Sequence, residues 1–156
     1  MYLKRPLLRQ FEKTPIYLKF YLKMGTHSAT ETPLPTIAIS QMCSTNNKEH
    51  NLQQVRQLVA KAKQQNACML FLPECCDFVG ENREQTLALS ESLEGSLMQS
   101  YRQLARENSM WLSLGGIHEV IMEQGKAKKI YNAHVLLNDT GEVVNVYRKL
   151  HLFDVD

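Results

Sequence analysis

An unbroken apolar run that ends in a proline and a glutamate places the strongest constraint on the fold of this chain. Residues 67–72 read Ala-Cys-Met-Leu-Phe-Leu, and Pro73 and Glu74 follow. A run of this kind, closed by a turn former, is typical of a strand buried on both faces of a parallel α/β sheet. Proline cannot donate to a sheet ladder, so the strand should end at Pro73. We therefore expect Glu74 at the carboxyl edge of the sheet, where open α/β sheets bind ligands.

The residues before this run predict a βαβ unit. Residues 36–43 have the apolar pattern of a first strand, and the polar residues 44–47 offer several helix N-caps. Residues 48–66 carry one apolar stripe at helical spacing, with Lys, Gln and Arg opposite it. Strand, helix and strand within about 37 residues indicate a parallel pair with a right-handed crossover. The chain is therefore assigned to the α/β class.

The middle of the chain predicts a loop, a helix and a third strand. A loop follows Glu74, residues 84–93 are expected to be partly helical, and residues 95–108 have a helical apolar face. Residues 110–117 predict the third strand. It contains Gly115 and Gly116, and such a pair suggests that another part of the molecule approaches the backbone closely. No Gly-x-Gly-x-x-Gly motif follows a strand, which argues against a dinucleotide-binding domain.

The last part of the chain predicts a β-hairpin. Residues 119–129 are polar and charged, and we expect a loop there. Residues 130–137 and 142–147 predict two strands, joined by the short turn Asn-Asp-Thr-Gly at 138–141. A connection of this length makes the two strands antiparallel neighbours.

Charge divides the chain into a basic leader, residues 1–35, and a mildly acidic body, residues 36–156. The leader carries six Lys or Arg and two Glu, whereas the body carries twelve Lys or Arg and fourteen Asp or Glu. The body thus has no basic footprint for nucleic acid, and no apolar stretch is long enough to cross a membrane. The leader resembles a mitochondrial presequence or is a disordered extension, so we expect a cytoplasmic or mitochondrial protein.

The four cysteines give no sign of a metal site or a disulfide framework. Cys75 and Cys76 are adjacent, and no Cys-x-x-Cys motif occurs. Without a secretory signal, a reducing compartment is expected, with all four thiols buried in a structural role. His118, His134 and His151 lie on separate elements without metal-ligand spacing, and structural roles are expected for them as well.

Two charged residues at strand ends are the candidates for chemistry. Lys149 follows the last predicted strand, as Glu74 follows the central one. A partly desolvated glutamate can hold a pKa suited to moving protons, and a lysine can stabilise an oxyanion. Hydrolysis of an amide also requires a nucleophile, usually a thiolate or an activated hydroxyl. The alternative is that Glu74 is simply a solvated residue at a strand end.

Two short motifs around these residues resemble those of the nitrilase superfamily, the carbon–nitrogen hydrolases. They are residues 71–74, Phe-Leu-Pro-Glu, and residues 147–152, Tyr-Arg-Lys-Leu-His-Leu. The resemblance covers residues 36–156. Within the family, residues 104–107, 111–116 and 129–137 resemble the branch that acts on deaminated glutathione. The resemblance implies the front part of an α-β-β-α sandwich with a mixed sheet and helices on its outer face.

The resemblance also implies a Glu–Lys–Cys mechanism that needs no metal and no organic cofactor. Glu74 would be the general base and acid, and Lys149 would stabilise the tetrahedral oxyanion. A cysteine would attack the amide carbon, ammonia would leave, and water would hydrolyse the thioester. The partners implied are a small amide substrate, such as deaminated glutathione, and further copies of the full-length protein.

One feature departs from the family pattern. The nucleophilic cysteine of the family follows the lysine by several tens of residues, and this chain ends at Asp156. We therefore expect an N-terminal fragment that is inactive by itself. The alternative is a truncated isoform or pseudo-hydrolase that only binds partners. In the loop after Glu74, Phe78 and Asp77 could line a substrate pocket, and a packing role is the equal alternative.

Overall fold

The computed structural model describes residues 17–21, 35–123 and 126–152. In this part of the chain six strands and three helices follow one another along the sequence. No helix among these residues is long and apolar enough to cross a membrane. The elements are β1 (Tyr17–Tyr21), β2 (Thr36–Gln41), α1 (Lys48–Gln64), β3 (Ala67–Phe71), α2 (Arg83–Leu89), α3 (Ser96–Asn108), β4 (Trp111–Glu123), β5 (Lys126–Leu137) and β6 (Val143–Arg148).

The strands form one mixed sheet whose spatial order follows the sequence, from β1 to β6. β2 and β4 both run parallel to the central β3, whereas the pairs β1–β2, β4–β5 and β5–β6 are antiparallel. The predicted βαβ unit and the β5–β6 hairpin are thus confirmed. The predicted α/β class with a mixed sheet is confirmed too.

Helices α1 and α3 cover one face of the sheet. Asn47 caps α1 by accepting a hydrogen bond from the backbone of His50, and the predicted apolar stripe of α1 is buried. α3 buries its own stripe beside it and is followed by its C-cap, Ser109, in the left-handed conformation. Burial of these stripes against the sheet supplies the hydrophobic core. Its central members are Leu52, Val55, Leu58, Val59, Leu70, Tyr101, Leu104, Leu112, Leu114 and Val135.

The expectation that β3 is buried on both faces is wrong. Leu70 is fully buried on the helix-covered face, but Phe71 and its neighbour Ile39 on β2 are partly exposed on the other. No described element covers that second face, so the continuous apolar run has only one packed side. The expectation that all four thiols are buried is also wrong. Cys68 on β3 and Cys43, which follows β2, are both exposed.

The predicted loop at residues 119–129 is also wrong. Residues 119–123 of β4 pair with residues 126–131 of β5, with Glu119 opposite Tyr131 and Val120 opposite Ile130. Val120 is 6% exposed and Glu119 only 3%. The charges that suggested a loop therefore lie on a paired ladder, which has an irregularity between Ile121 and Met122. The most buried of them, Glu119, is satisfied by a distant partner described below.

Strand β1 was not predicted from the sequence. It lies within the segment assigned to the basic leader and pairs antiparallel with β2, from Tyr17 opposite Gln41 to Tyr21 opposite Ile37. Tyr, Leu and Phe favour strands, and the otherwise open edge of β2 offers a ladder for such a segment. The rest of the leader, residues 1–16 and 22–34, lies outside the described residues.

Candidate active site

Glu74 and Lys149 meet at one edge of the sheet. Glu74 follows β3, Lys149 follows β6, and Lys149 Nζ lies 3.1 Å from Glu74 Oε1. The backbone N–H of Lys149 donates to the carbonyl oxygen of Asn132 on β5, 2.9 Å away, which extends the β5–β6 ladder by one residue. The contact is partly open to solvent, because the two side chains are 51% and 33% exposed.

Asn132 is the third member of this cluster, and the sequence analysis did not single it out. Its side-chain amide donates to Glu74 Oε1, the same oxygen that Lys149 contacts. No described residue donates a hydrogen bond to Glu74 Oε2. Asn132 therefore contacts both residues, the carboxylate of Glu74 through its side chain and the backbone N–H of Lys149 through its carbonyl. The one available signal was a polar residue within an apolar strand, which is too common to identify a site.

Strand β4 holds the loop that carries Glu74. The backbone N–H of Leu72 donates to the carbonyl oxygen of Ser113 at 2.9 Å, and that of Cys75 donates to the carbonyl oxygen of Gly116 at 2.7 Å. These bonds fix the chain on both sides of Glu74. The predicted close approach at the glycine pair is confirmed, because the backbone of residues 72–73 lies directly against Gly115.

Hydrogen bonding keeps Glu74 ionised. The bond from Lys149 is the largest cause that lowers the pKa of Glu74, the bond from Asn132 is the next, and partial burial opposes both. From the sequence, a partly desolvated carboxyl with a pKa suited to moving a proton was expected. The structure shows the reverse balance, because at half exposure the desolvation is small and two donors stabilise the anion.

An open cleft lies over this cluster. His134 on its wall forms a 2.9 Å hydrogen bond with the buried hydroxyl of Ser113. No cysteine is among the described residues that line the cleft. The lining residues are Glu74, Gly115, Asn132, His134, Tyr147, Lys149 and His151.

Comparison with known protein families settles the kinship of the chain. Residues 36–156 match the family model of the carbon–nitrogen hydrolases. The chain belongs to the carbon–nitrogen hydrolase family. This range contains every residue of the cleft described above.

Curated relatives place this carbon–nitrogen hydrolase chain near two groups of proteins. It is 62% identical over 120 residues to the nitrilase and fragile histidine triad fusion protein NitFhit of Drosophila melanogaster, a match that covers 77% of the chain and 25% of the relative. It is 49% identical over 133 residues to the deaminated glutathione amidase of Rattus norvegicus, covering 85% of the chain and 41% of the relative. The chain thus spans less than half the length of these relatives.

Solved structures of related proteins have a similar fold. The crystal structure of the Caenorhabditis elegans NitFhit protein superposes with a TM-score of 0.69 at 38% identity, covering 77% of this chain and 29% of that one. An amidase mutant from Nesterenkonia sp. AN1, modified by acrylamide at its active-site cysteine, has a TM-score of 0.62 at 24% identity and covers 76% and 45% of the two chains. The second likeness supports the fold alone.

The cysteines nearest to Glu74 in this carbon–nitrogen hydrolase chain are poor nucleophiles. Burial is the main cause that raises the pKa of Cys75 to about 11, and the carboxylates of Asp77 and Glu74 add to it. Cys76 is completely buried, which raises its pKa further. Because the thiolate is the reactive form, both thiols are held in their unreactive state at neutral pH.

Phe78 and Asp77 lie in the interior rather than on the cleft. Phe78 is 1% exposed, and its ring stacks on that of His118 with 4.3 Å between centroids. Asp77 is 3% exposed and accepts a 2.7 Å hydrogen bond from the backbone N–H of His118. Both residues also line a small cavity next to His118 and Tyr101, away from the cleft over Glu74. His118 has a structural partner, as expected for it.

Proposed function

We propose that this chain supplies the proton-transfer and oxyanion-binding groups with which a carbon–nitrogen hydrolase cleaves a small ω-amide. The observation that carries the proposal is the arrangement around Glu74. Lys149 and Asn132 both donate to Oε1, and no described residue donates to Oε2. One oxygen is thereby used to hold the carboxylate in place, and the other is left to exchange a proton.

Glu74 acts in this proposal as the general base and then as the general acid. Its lowered pKa means that it is a carboxylate at neutral pH, the form that can accept the proton of a thiol. A substrate that covers the cleft removes water from Glu74, and desolvation then raises its pKa. This change favours transfer of the thiol proton to Glu74, which then carries the proton that the departing ammonia takes up.

Lys149 stabilises the tetrahedral oxyanion in this proposal. An ammonium group has three donors, and one of them is used on Glu74 Oε1. The other two remain for an oxygen that becomes negatively charged in the cleft. A fixed cation next to that oxygen costs no reorganisation during the reaction, which is the basis of oxyanion stabilisation in enzymes.

The nucleophile in this proposal is none of the four cysteines of the chain. No cysteine lines the cleft, and the thiols of Cys75 and Cys76 have raised pKa values. The family resemblance assigns the nucleophile to a later strand than the one that precedes the lysine. The 156-residue chain alone is therefore expected to release no ammonia from an amide.

The proposed substrate is the ω-amide of deaminated glutathione. The support is kinship, because the rat relative and a human one at 47% identity over 129 residues carry the name deaminated glutathione amidase. The cleft is open and is lined by polar and aromatic side chains. Such a lining suits a small polar amide better than a closed apolar pocket would.

A chimera with the rat amidase tests the proposal. Residues 36–152 of this chain replace the matching segment of the rat enzyme, and ammonia release from deaminated glutathione is measured. We expect the chimera to be active, and Glu74→Gln and Lys149→Met in it to lower kcat by about a hundredfold or more each. Lys61→Gln, an exposed lysine on α1, is the matched control and should leave kcat unchanged.

The same experiment separates the alternative reading. A folded chimera that binds no substrate and releases no ammonia, next to an active rat parent, would support the pseudo-hydrolase that only binds partners. Activity that survives Glu74→Gln would contradict the proposed role of Glu74. Ammonia release by the 156-residue chain alone would contradict the assignment of the nucleophile.

We also propose that the full-length protein is a homo-oligomer and that it resides in the cytoplasm, the mitochondrion or both. Light scattering on the purified full-length protein measures the first. A fluorescent reporter fused behind residues 1–35 tests the second, and a purely cytosolic signal would reject mitochondrial import by this leader.

A further inference from the structure

An ion pair with a buried carboxylate lies directly beside Lys149. Arg148, the last residue of β6, donates through Nε to Glu119 Oε2 and through Nη2 to Glu119 Oε1, both at 2.6 Å. The two parallel bonds make a planar fork, which fixes both direction and distance. Glu119 is 3% exposed and Arg148 is 43% exposed, so the carboxylate lies inside and the guanidinium reaches in from the surface.

The fork ties together two strands that are not neighbours. Glu119 lies on β4, opposite Tyr131 of β5, and Arg148 lies on β6, opposite Ala133 of β5. The guanidinium therefore spans β5 and passes over the ring of Tyr131, with 5.3 Å from its central carbon to the ring centroid. The end of β6 is thereby fastened to β4 as well as to β5.

The inner end of the fork is well anchored. The next residue after Glu119, Val120, donates its backbone N–H to the carbonyl oxygen of Glu91 at 3.0 Å. Glu91 in turn accepts a hydrogen bond from the backbone N–H of Leu97 at the start of α3, 3.0 Å away. Glu119 thus lies on backbone that is tied to the helix layer, and its position does not depend on β6.

The end of β6, which carries Arg148, has few other contacts that hold it in place. β6 is the last strand of the described sheet, and Leu150 and Leu152 after it are 79% and 54% exposed. Lys149 itself is held by one backbone bond to Asn132 and by its contact with Glu74. Arg148 is the residue at this strand end that reaches a buried partner.

We propose that the Glu119–Arg148 fork is a positioning pair that fixes the end of β6, so that Lys149 Nζ stays within hydrogen-bonding distance of Glu74. Moving Arg148 away would leave the buried carboxylate of Glu119 without a partner, which is energetically costly. The end of β6 is therefore held rigidly. A lysine at this position would keep the charge but lose the planar fork. The catalytic meaning of the pair rests on the proposed function, whereas its effect on the Glu74–Lys149 contact does not.

The titration of Glu74 tests the pair in the whole 156-residue chain. Its side-chain carboxyl carbon is followed by NMR against pH in the wild type and in Arg148→Lys. We expect the midpoint of Glu74 to rise by about half a unit to one unit, because Lys149 moves away from the carboxylate. The charge at position 148 is unchanged in this variant, so a direct electrostatic effect of the substitution is small.

A second variant separates loss of the fork from a direct electrostatic effect on the pKa of Glu74, because the two would shift that pKa in opposite directions. Glu119→Gln removes a negative charge, which by electrostatics alone would lower the pKa of Glu74. The proposal predicts the opposite, a rise, because the fork is lost. The matched control is Arg102→Lys, which alters the 3.2 Å pair between Arg102 of α3 and Glu94 just before that helix, and should leave the midpoint of Glu74 unchanged.

The outcomes separate this inference from the proposed function. Midpoints of Glu74 that stay at the wild-type value in folded Arg148→Lys and Glu119→Gln would overturn it. If either variant fails to fold, the double variant Glu119→Leu with Arg148→Met removes both charges together, and an unchanged midpoint there overturns it equally. The readout needs no turnover, so an inactive chimera would contradict the proposed function and leave this result standing.

Discussion

A Cβ atom placed on Gly115 would lie 2.2 Å from the carbonyl oxygen of Leu72. The atom that it would meet belongs to the backbone of the segment leading into Glu74, which cannot turn aside as a side chain can. Because glycine has no side chain, β4 and the loop after β3 can lie closer together at Gly115 than they could with any other residue there. The place of Glu74 depends on this approach.

Gly115→Ala is expected to destabilise the chain by about 3 kcal/mol, because the new methyl group forces backbone to move in a packed region. The measurement is the free energy of unfolding in urea. Gly80→Ala is the matched control, since its closest contact is the hydroxyl of Thr86, which can rotate, and the nearest backbone atom lies 3.1 Å away. Equal losses in the two variants would show that the backbone contact at Gly115 is unimportant.

Lys149→Met is expected to raise the pKa of Glu74 toward its usual value of 4.5, because the variant loses the hydrogen bond that lowers it most. A lowered pKa in the folded state means that the ion pair stabilises the fold above the unfolded-state pKa. That contribution is lost as the pH falls through the lowered folded-state pKa. Since the pair is half exposed, we expect a loss of only about 0.5 kcal/mol at neutral pH.

Urea unfolding of both proteins across the acid range checks this sign. The difference in unfolding free energy between the wild type and Lys149→Met should be largest at neutral pH and should vanish in strong acid. Lys61→Gln provides the control curve, which should run parallel to that of the wild type. A difference that grows as the pH falls would contradict the assignment of Lys149 as the partner of the Glu74 carboxylate.

Asn132→Asp is expected to raise the pKa of Glu74 by about one unit or more, because a donor is replaced by a like charge beside Oε1. Asn132→Leu, which removes the donor without adding charge, should raise it by less. NMR titration of the Glu74 carboxyl measures both. An unchanged midpoint in Asn132→Leu would mean that the hydrogen bond from Asn132 has no effect on Glu74.

The sequence predicted the positions of both charged groups because each depends on local patterns. The apolar run before Pro73 located the end of β3, and the Asn-Asp-Thr-Gly turn located the hairpin that leads to Lys149. Their juxtaposition also followed, since β3 and β6 run in the same direction and their carboxyl ends lie at the same edge of the sheet. The 3.1 Å contact lies where these local patterns and the family motifs placed the two residues.

What the sequence did not predict depends on contacts between distant residues. Glu119 reads as a solvated charge, and only its fork with Arg148, 29 residues later, explains how it can be buried in a strand. Asn132 is an ordinary polar residue until the fold brings it to Glu74. The burial of β3 was overestimated, because an apolar run does not reveal whether other elements cover one face of the sheet or both.

Phe78→Ala is expected to destabilise the fold by about 3–4 kcal/mol, because the ring is 1% exposed and packs on His118. Glu74 should keep its titration midpoint in the variant as long as the protein remains folded. Urea unfolding and NMR titration measure the two effects. Unchanged stability in Phe78→Ala, together with weaker binding of an amide, would instead support the pocket-lining alternative.

Alkylation by iodoacetamide should rank the four cysteines by exposure and thiolate content. The exposed Cys43 and Cys68 should react first, and the fully buried Cys76 last. Cys75 is half-buried and its pKa is raised from 9.0 to about 11, so its thiolate fraction should be about a hundredfold lower than that of an ordinary thiol. Mass spectrometry of the labelled peptides over time gives the four rates, and the same reaction in concentrated urea is the control, where all four should react alike. Fast labelling of Cys75 in the folded chain would contradict its assignment as an unreactive thiol and would make it a candidate nucleophile beside Glu74.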